Sequence, residues 1–160
     1  MTSTLQPTPD GWPRIAPALY YEDPRAAIQW LCDAFGFEVR LLVESPEGGI
    51  MHSELVYGDG VIMVGDAGKG PRTLSPGVAG GNTQSIMIHV DDVDAHCQRA
   101  RQFGAVIETE PMETDYGPEY WTDRAYGARD PEGHPFWIVQ RLRTGHPRWS
   151  EVRNKVDQHH

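Results

Sequence analysis

The chain has 160 residues, 39% of them hydrophobic and 23% charged, with a formal net charge of −9. This is the composition of one globular body, and no apolar run approaches the roughly 18 residues of a membrane span. Nucleic acid is excluded as a partner on the same grounds, because phosphate binding needs clustered Lys and Arg and the 14 basic residues form no block.

The start of the chain lacks a basic segment followed by an apolar one, so no secretory leader is expected. The two cysteines, Cys32 and Cys97, fall in helix-like segments and read as reduced thiols. A cytoplasmic protein is the expectation.

In chain order, residues 1–13 carry Pro7, Pro9 and Pro13 among small polar residues and read as a flexible arm. A first unit spans 14–66. Its opening strand alternates, with Ala16, Ala18 and Tyr20 on one face and Ile15, Pro17, Leu19 and Tyr21 on the other. Asp23 then caps a helix whose first residue is Pro24 and whose buried stripe is Ala27, Ile28, Leu31 and Phe35, ended by Gly36. A strand from Glu38 to Ser45 follows. Two more, Ile50 to Tyr57 and Val61 to Val64, form a hairpin around Gly58-Asp59-Gly60.

Residues 67–84 are rich in Gly and Pro and read as a linker. A second unit, 85–141, repeats the scheme: a short strand, a helix capped by Asp91 or Asp92 with a stripe of Val93, His96, Ala100 and Phe103, then further strands. Residues 142–160 form an extension in which Ser150 caps a short helix and Trp149 anchors it.

The two units are echoes. Arg14 to Gly36 and Ser85 to Gly104 share strand, acidic turn, helix and Phe-Gly end, with Asp23 matching Asp92 at an offset of roughly seventy residues. The fold class is therefore α+β, built from two tandem βαβββ modules.

With ALYYEDPRAAIQWLCDAFGF at its opening, SIMIHVDDVDAHCQRARQFGA at its centre and RDPEGHPFWIV at its close, the chain resembles the glyoxalase/bleomycin resistance/dioxygenase proteins, the vicinal oxygen chelate superfamily. The style is that of the bleomycin-resistance-like and PhnB-like branch. The resemblance implies that the mixed sheets curl into an open cup with the helices outside and a small-molecule ligand inside. It also implies a homodimer, because members commonly pair or swap modules so that each cup takes residues from two chains.

In metal-dependent members four His or Glu side chains enter the cup. The matching positions here are Ala16, Met63, Ser85 and Trp137, and none is a His or Glu. Neither a metal site of the family type nor any other cofactor is expected.

His89 shares strand parity with Ser85 and Met87 and should face the cup. His52 and Glu54 share one face of their strand. If that face lines the cup, they and His89 would assemble a displaced metal or acid–base site; otherwise they are a solvated polar face. Tyr20, Met63, Met87, Tyr120, Trp121, Tyr126 and Trp137 complete the candidate ligand-binding set, with Tyr116 nearby. Glu110, Glu113, Asp115 and Glu119 surround the later aromatics and would suit a basic, planar compound. His134, in the Asp-Pro-Glu-Gly-His turn, is expected to be structural.

Two functions compete. One is metal-free sequestration of a small aromatic or cationic compound, such as an antibiotic. The other is a lyase, isomerase or dioxygenase that works through a relocated metal or by acid–base chemistry at His52, Glu54 and His89.

Overall fold

The computed structural model describes residues 5–145, in two four-stranded mixed sheets. The first module holds β1 (Ala18–Tyr21), α1 (Pro24–Trp30), β2 (Glu38–Glu44), β3 (Ile50–Tyr57) and β4 (Gly60–Asp66). A short helix, α2 (Pro76–Ala79), interrupts the linker. The second module holds β5 (Ile86–His89), α3 (Val93–Gln102), β6 (Val106–Asp115), β7 (Trp121–Arg129) and β8 (Pro135–Thr144). The strand orders are β1-β4-β3-β2 and β5-β8-β7-β6, with β1 parallel to β4 and β5 parallel to β8. Each module is thus a split βαβββ unit, and neither sheet closes. The expected helix of the C-terminal extension, with Ser150 and Trp149, lies outside the described residues.

Both helices start as their sequences dictate. The carboxylates of Asp23 and Asp92 each accept from a backbone N–H three residues on, Ala26 and Ala95, both at 3.0 Å. Their ends differ. After α1 the chain widens into a π-helical turn, Leu31–Phe35, before Gly36 takes the left-handed conformation at φ 83°. That turn buries Leu31, Ala34 and Phe35, so one extra residue per turn brings three apolar side chains onto the sheet. On α3 the buried stripe is Val93, Cys97 and Ala100, and Phe103, expected on it, is exposed. The reason is that α3 packs on the π turn as well as on its own sheet, which rotates Cys97 inward.

The core lies on the helix side of both sheets and is shared. Leu19, Tyr21, Leu55, Ile62 and Val64 of the first module join Ile88, Tyr126, Phe136 and Ile138 of the second around Phe35. The Asp-Pro-Glu-Gly-His turn locks the modules together. Asp130 accepts from the Tyr21 hydroxyl at 2.6 Å and from the amides of Glu132 and His134. The Glu132 carboxylate accepts from the amides of Glu22 and Asp23, and the His134 ring bonds the Tyr20 carbonyl at 2.8 Å. Burial pushes the Asp130 carboxyl above the usual carboxylate range, while its hydrogen bonds pull it back. The same burial, with Asp130 alongside, holds the Tyr21 phenol well above its ordinary value.

Candidate ligand-binding face

Because strand residues alternate, whatever shares a face with the core-filling side chains points to the helices, and the other set points to the open face. On the second module the open set includes Met87, Trp137 and Gly127, which lie side by side in register on β5, β8 and β7. The indole of Trp137 lies across Gly127, so close that a Cβ there would sit 2.9 Å from the ring. The first module repeats the device: Tyr20 pairs with Gly65, and a Cβ on Gly65 would meet the phenol ring at 3.0 Å. A glycine inside a strand marks such close approach, a signal the sequence reading passed over.

Around these rings the open face is apolar. Val61, Ala125 and Val139 are buried yet stand apart from the main core cluster, as residues beneath larger open-face neighbours should. Met87, Met112 and Trp137 are exposed, at 59%, 53% and 39%. His89 is in register with Val139 on the same face, as expected, and is exposed. It borders a cleft of ≈ 320 Å³ that also takes Pro13 from the arm, Ile15 and Pro17 from the segment ahead of β1 and Met87 from β5.

The β6–β7 hairpin carries the other aromatics. Tyr116, Tyr120 and Trp121 cluster at its end, with ring centroids 5.6 Å and 5.9 Å from Trp121. Their cationic partner is already present, since the Arg141 guanidinium lies over the Trp121 ring at 5.0 Å and is bonded to Asp123. Of the surrounding acids, Glu110 is held by Arg101, and Asp115 by Arg143 and the Gly117 amide. These pairs lower the Asp115 carboxyl below its usual value. Glu110 and Asp115, two of the four acids that were expected to attract a cation, are thus neutralised from within.

Tyr126 is a correction. It was read as a ligand contact, but its register partner is Ile138 and both are fully buried on the helix side. Its hydroxyl pairs with His96 Nδ1 at 2.7 Å, and His96 Nε2 reaches the Phe35 carbonyl at 2.8 Å. Burial drives the Tyr126 phenol far above its ordinary value and lowers that of His96. The two form a core hydrogen-bond chain between modules.

On the first module, His52 and Glu54 share the open face with Met63, since Val56 and Val61 pair across β3 and β4 and each is two residues away. His52 Nε2 is 2.8 Å from Glu54, which is 2% exposed. The third partner was not foreseen. A register shift between Val39 and Leu41 turns Arg40 to the same side, with its Nε 3.4 Å from Glu54. Arg40 also donates to the Gly11 carbonyl and lies 5.0 Å from the Trp12 ring centroid. The arm, expected to be flexible, is stitched to the open face there.

The relocated metal triad does not form. Among the described residues no three His, Cys, Asp or Glu side chains gather closely enough to hold an ion, so His89 is not brought to His52 and Glu54. The positions where relatives would carry ligands present a methyl at Ala16, a thioether at Met63, a hydroxyl at Ser85 and an indole at Trp137. Those donors do not fit the family's metal.

The sequence profile of the Glyoxalase/Bleomycin resistance protein/Dioxygenase superfamily matches residues 14–138. The chain belongs to this superfamily. Relatives include an uncharacterised protein of Mycobacterium bovis, 30% identical over 134 residues that cover 82% of this chain and 85% of the relative. An uncharacterised protein of Mycobacterium tuberculosis has the same identity and covers 76% of its own length. Among solved structures, TioX from Micromonospora sp. ML1 superposes with a TM-score of 0.63 at 31% identity, over 79% of this chain and 98% of TioX. A superfamily member from Sphaerobacter thermophilus superposes at 0.62 with 18% identity, over 81% of this chain and 98% of that one, a likeness of fold alone. Among the described residues no helix is long and apolar enough to cross a membrane.

Proposed function

We propose that this superfamily member binds and sequesters a small, flat aromatic compound, of antibiotic size, on its open sheet faces. The observation that carries the reading is the pair of aromatic rings laid over strand glycines, Trp137 on Gly127 and Tyr20 on Gly65, which present planar surfaces with an apolar surround. Trp137, Met87, Met63, Tyr20 and His89 are the contacts. Trp121 and Tyr120 flank them, and the occupancy of Trp121 by Arg141 favours an aromatic ligand over a cationic one.

A second copy of the chain completes the cup. Leu41, Val43, Met87, Met112 and Trp137 leave more open-face apolar surface than a lone chain needs, and a homodimer that encloses it would shield the ligand from water. The free cysteines suit the reducing cytoplasm in which we place it.

The test is a titration with acridine at alkaline pH, where it is uncharged, read by tryptophan quenching, with ethidium as the cationic comparison. Saturable acridine quenching that chelator leaves unchanged and that Trp137→Ala weakens by about tenfold is the expected result. Quenching that never saturates, or a Trp137→Ala protein that binds equally well, sinks the reading. Sedimentation equilibrium at micromolar protein checks the dimer, and a monomer counts against the shared cup.

A further inference from the structure

We infer that Arg40, Glu54 and His52 form a metal-free proton-transfer site, with His52 as the base and a planar carbon acid as its class of substrate. The inference rests on the open face receiving a flat ligand, as proposed above, and adds a chemical step to binding.

Glu54 is 2% exposed on an open-face strand position whose cross-strand partner is Leu41, a setting in which an apolar residue would be satisfied with no partner at all. Buried ion pairs commonly stabilise no better than apolar residues of the same volume, so a buried carboxylate held by two cationic or polar neighbours points to chemistry rather than to folding.

With Arg40 beside it, Glu54 is an acceptor, and its 2.8 Å contact to His52 Nε2 places the imidazole proton there. The neutral ring then carries its free lone pair on Nδ1, the nitrogen turned away from Glu54. The His52 side chain is 40% exposed, which leaves the imidazole open to a ligand. Val43, in register with His52, supplies an apolar neighbour beside the base. Arg40 is held in turn by the Trp12 ring and the Gly11 carbonyl, which fixes the whole array from His52 back to the arm. In this scheme His52 touches substrate, whereas Glu54 and Arg40 are positioning residues.

The step balances without an oxidant or a co-reactant. Nδ1 of His52 takes a proton from an activated C–H, the electron pair passes into the adjoining π system or expels a bound oxygen, and the proton returns to product or solvent.

The probe is 5-nitrobenzisoxazole, a flat, uncharged carbon acid. Its ring C–H gives up the proton, its N–O bond breaks and the pair ends on a coloured cyanonitrophenolate of the same atoms less that proton. The expected result is a kcat/KM for the full chain on the order of a hundredfold above that of His52→Ala. Glu54→Gln should lower kcat with little change in KM, a split that a purely structural role would not produce. Nitrogen NMR of the folded protein, which needs no substrate, should find neutral His52 protonated at Nε2. Elimination equally fast in wild type and His52→Ala overturns the inference, as does an Nδ1-protonated ring. Quenching by the probe without elimination overturns proton transfer and leaves the binding reading standing; neither quenching nor elimination overturns both.

Discussion

The two modules share a scaffold and differ in what they present on the open face. Both follow a short opening strand with an aspartate-capped helix and end in antiparallel strands, and both lay an aromatic ring over a strand glycine. The first module adds a desolvated charge array, Arg40, Glu54 and His52. The second adds an aromatic and sulfur-rich surface, with Met87, Met112, Trp121 and Trp137, bordered by the ion pairs of Arg141 with Asp123 and Arg129 with Glu108. Duplication conserved what register demands and left the open-face chemistry free to diverge. The buried helix side tolerates little change because its side chains are close-packed in one core drawn from both modules.

The comparison needs the two faces held in one frame, and Asp130 holds them. Asp130→Ala removes the acceptor of the Tyr21 hydroxyl and of two turn amides. It should cost about 3–5 kcal/mol in urea unfolding and free the modules to move apart. Tyr21→Phe, which removes a single bond, should cost about 1–3 kcal/mol. If both are neutral, the modules are joined by something other than this turn.

The charged half of the contrast is tested by Glu54→Gln. It leaves Arg40 beside a neutral amide in a buried setting and should lower stability by about 2 kcal/mol. Loss of the arm's attachment, read as faster hydrogen exchange at Trp12, should accompany it.

The feature common to both halves is tested at the glycines. Gly127→Ala places a methyl 2.9 Å from the Trp137 ring, and Gly65→Ala places one 3.0 Å from Tyr20. Each should cost about 1–3 kcal/mol as the ring is displaced, with a shift in tryptophan emission for the first only.

The smallest effect comes from the junction. His96 is held neutral by burial, so its folded pKa lies below that of the unfolded chain. The unfolded state therefore binds the extra proton first, and stability falls as pH drops below about 6.5, by at most ~1.4 kcal/mol per pH unit. In His96→Phe that acid-side slope should shrink, whatever the variant's stability at neutral pH.

Much of the fold could be read from local signals. Asp23 and Asp92 cap, Gly36 and Gly104 end their helices, and the hairpin around Asp59 lies where its glycines place it, because each of these depends on residues a few positions apart. The candidate site was legible in part. Trp137, Met87, Tyr20, Met63 and His89 lie on the open face as strand alternation requires. Tyr126 does not, because an aromatic in a strand suits either face and only its pairing with Ile138 turns it to the helices. The acidic groups near Trp121 looked available in sequence, yet their partners Arg101 and Arg143 come from other elements.

By itself the sequence determined the duplicated βαβββ order, the helix caps, the superfamily and the absence of chelating side chains at the four matching positions. Only the tertiary structure decided that His52 and Glu54 lie on the open face, that a bulge in β2 brings Arg40 to them and that Trp12 secures the array. The division has one physical cause. Capping and turn chemistry act over a few bonds, whereas a buried charge is made tolerable by partners that approach only after long-range strand pairing has set the register.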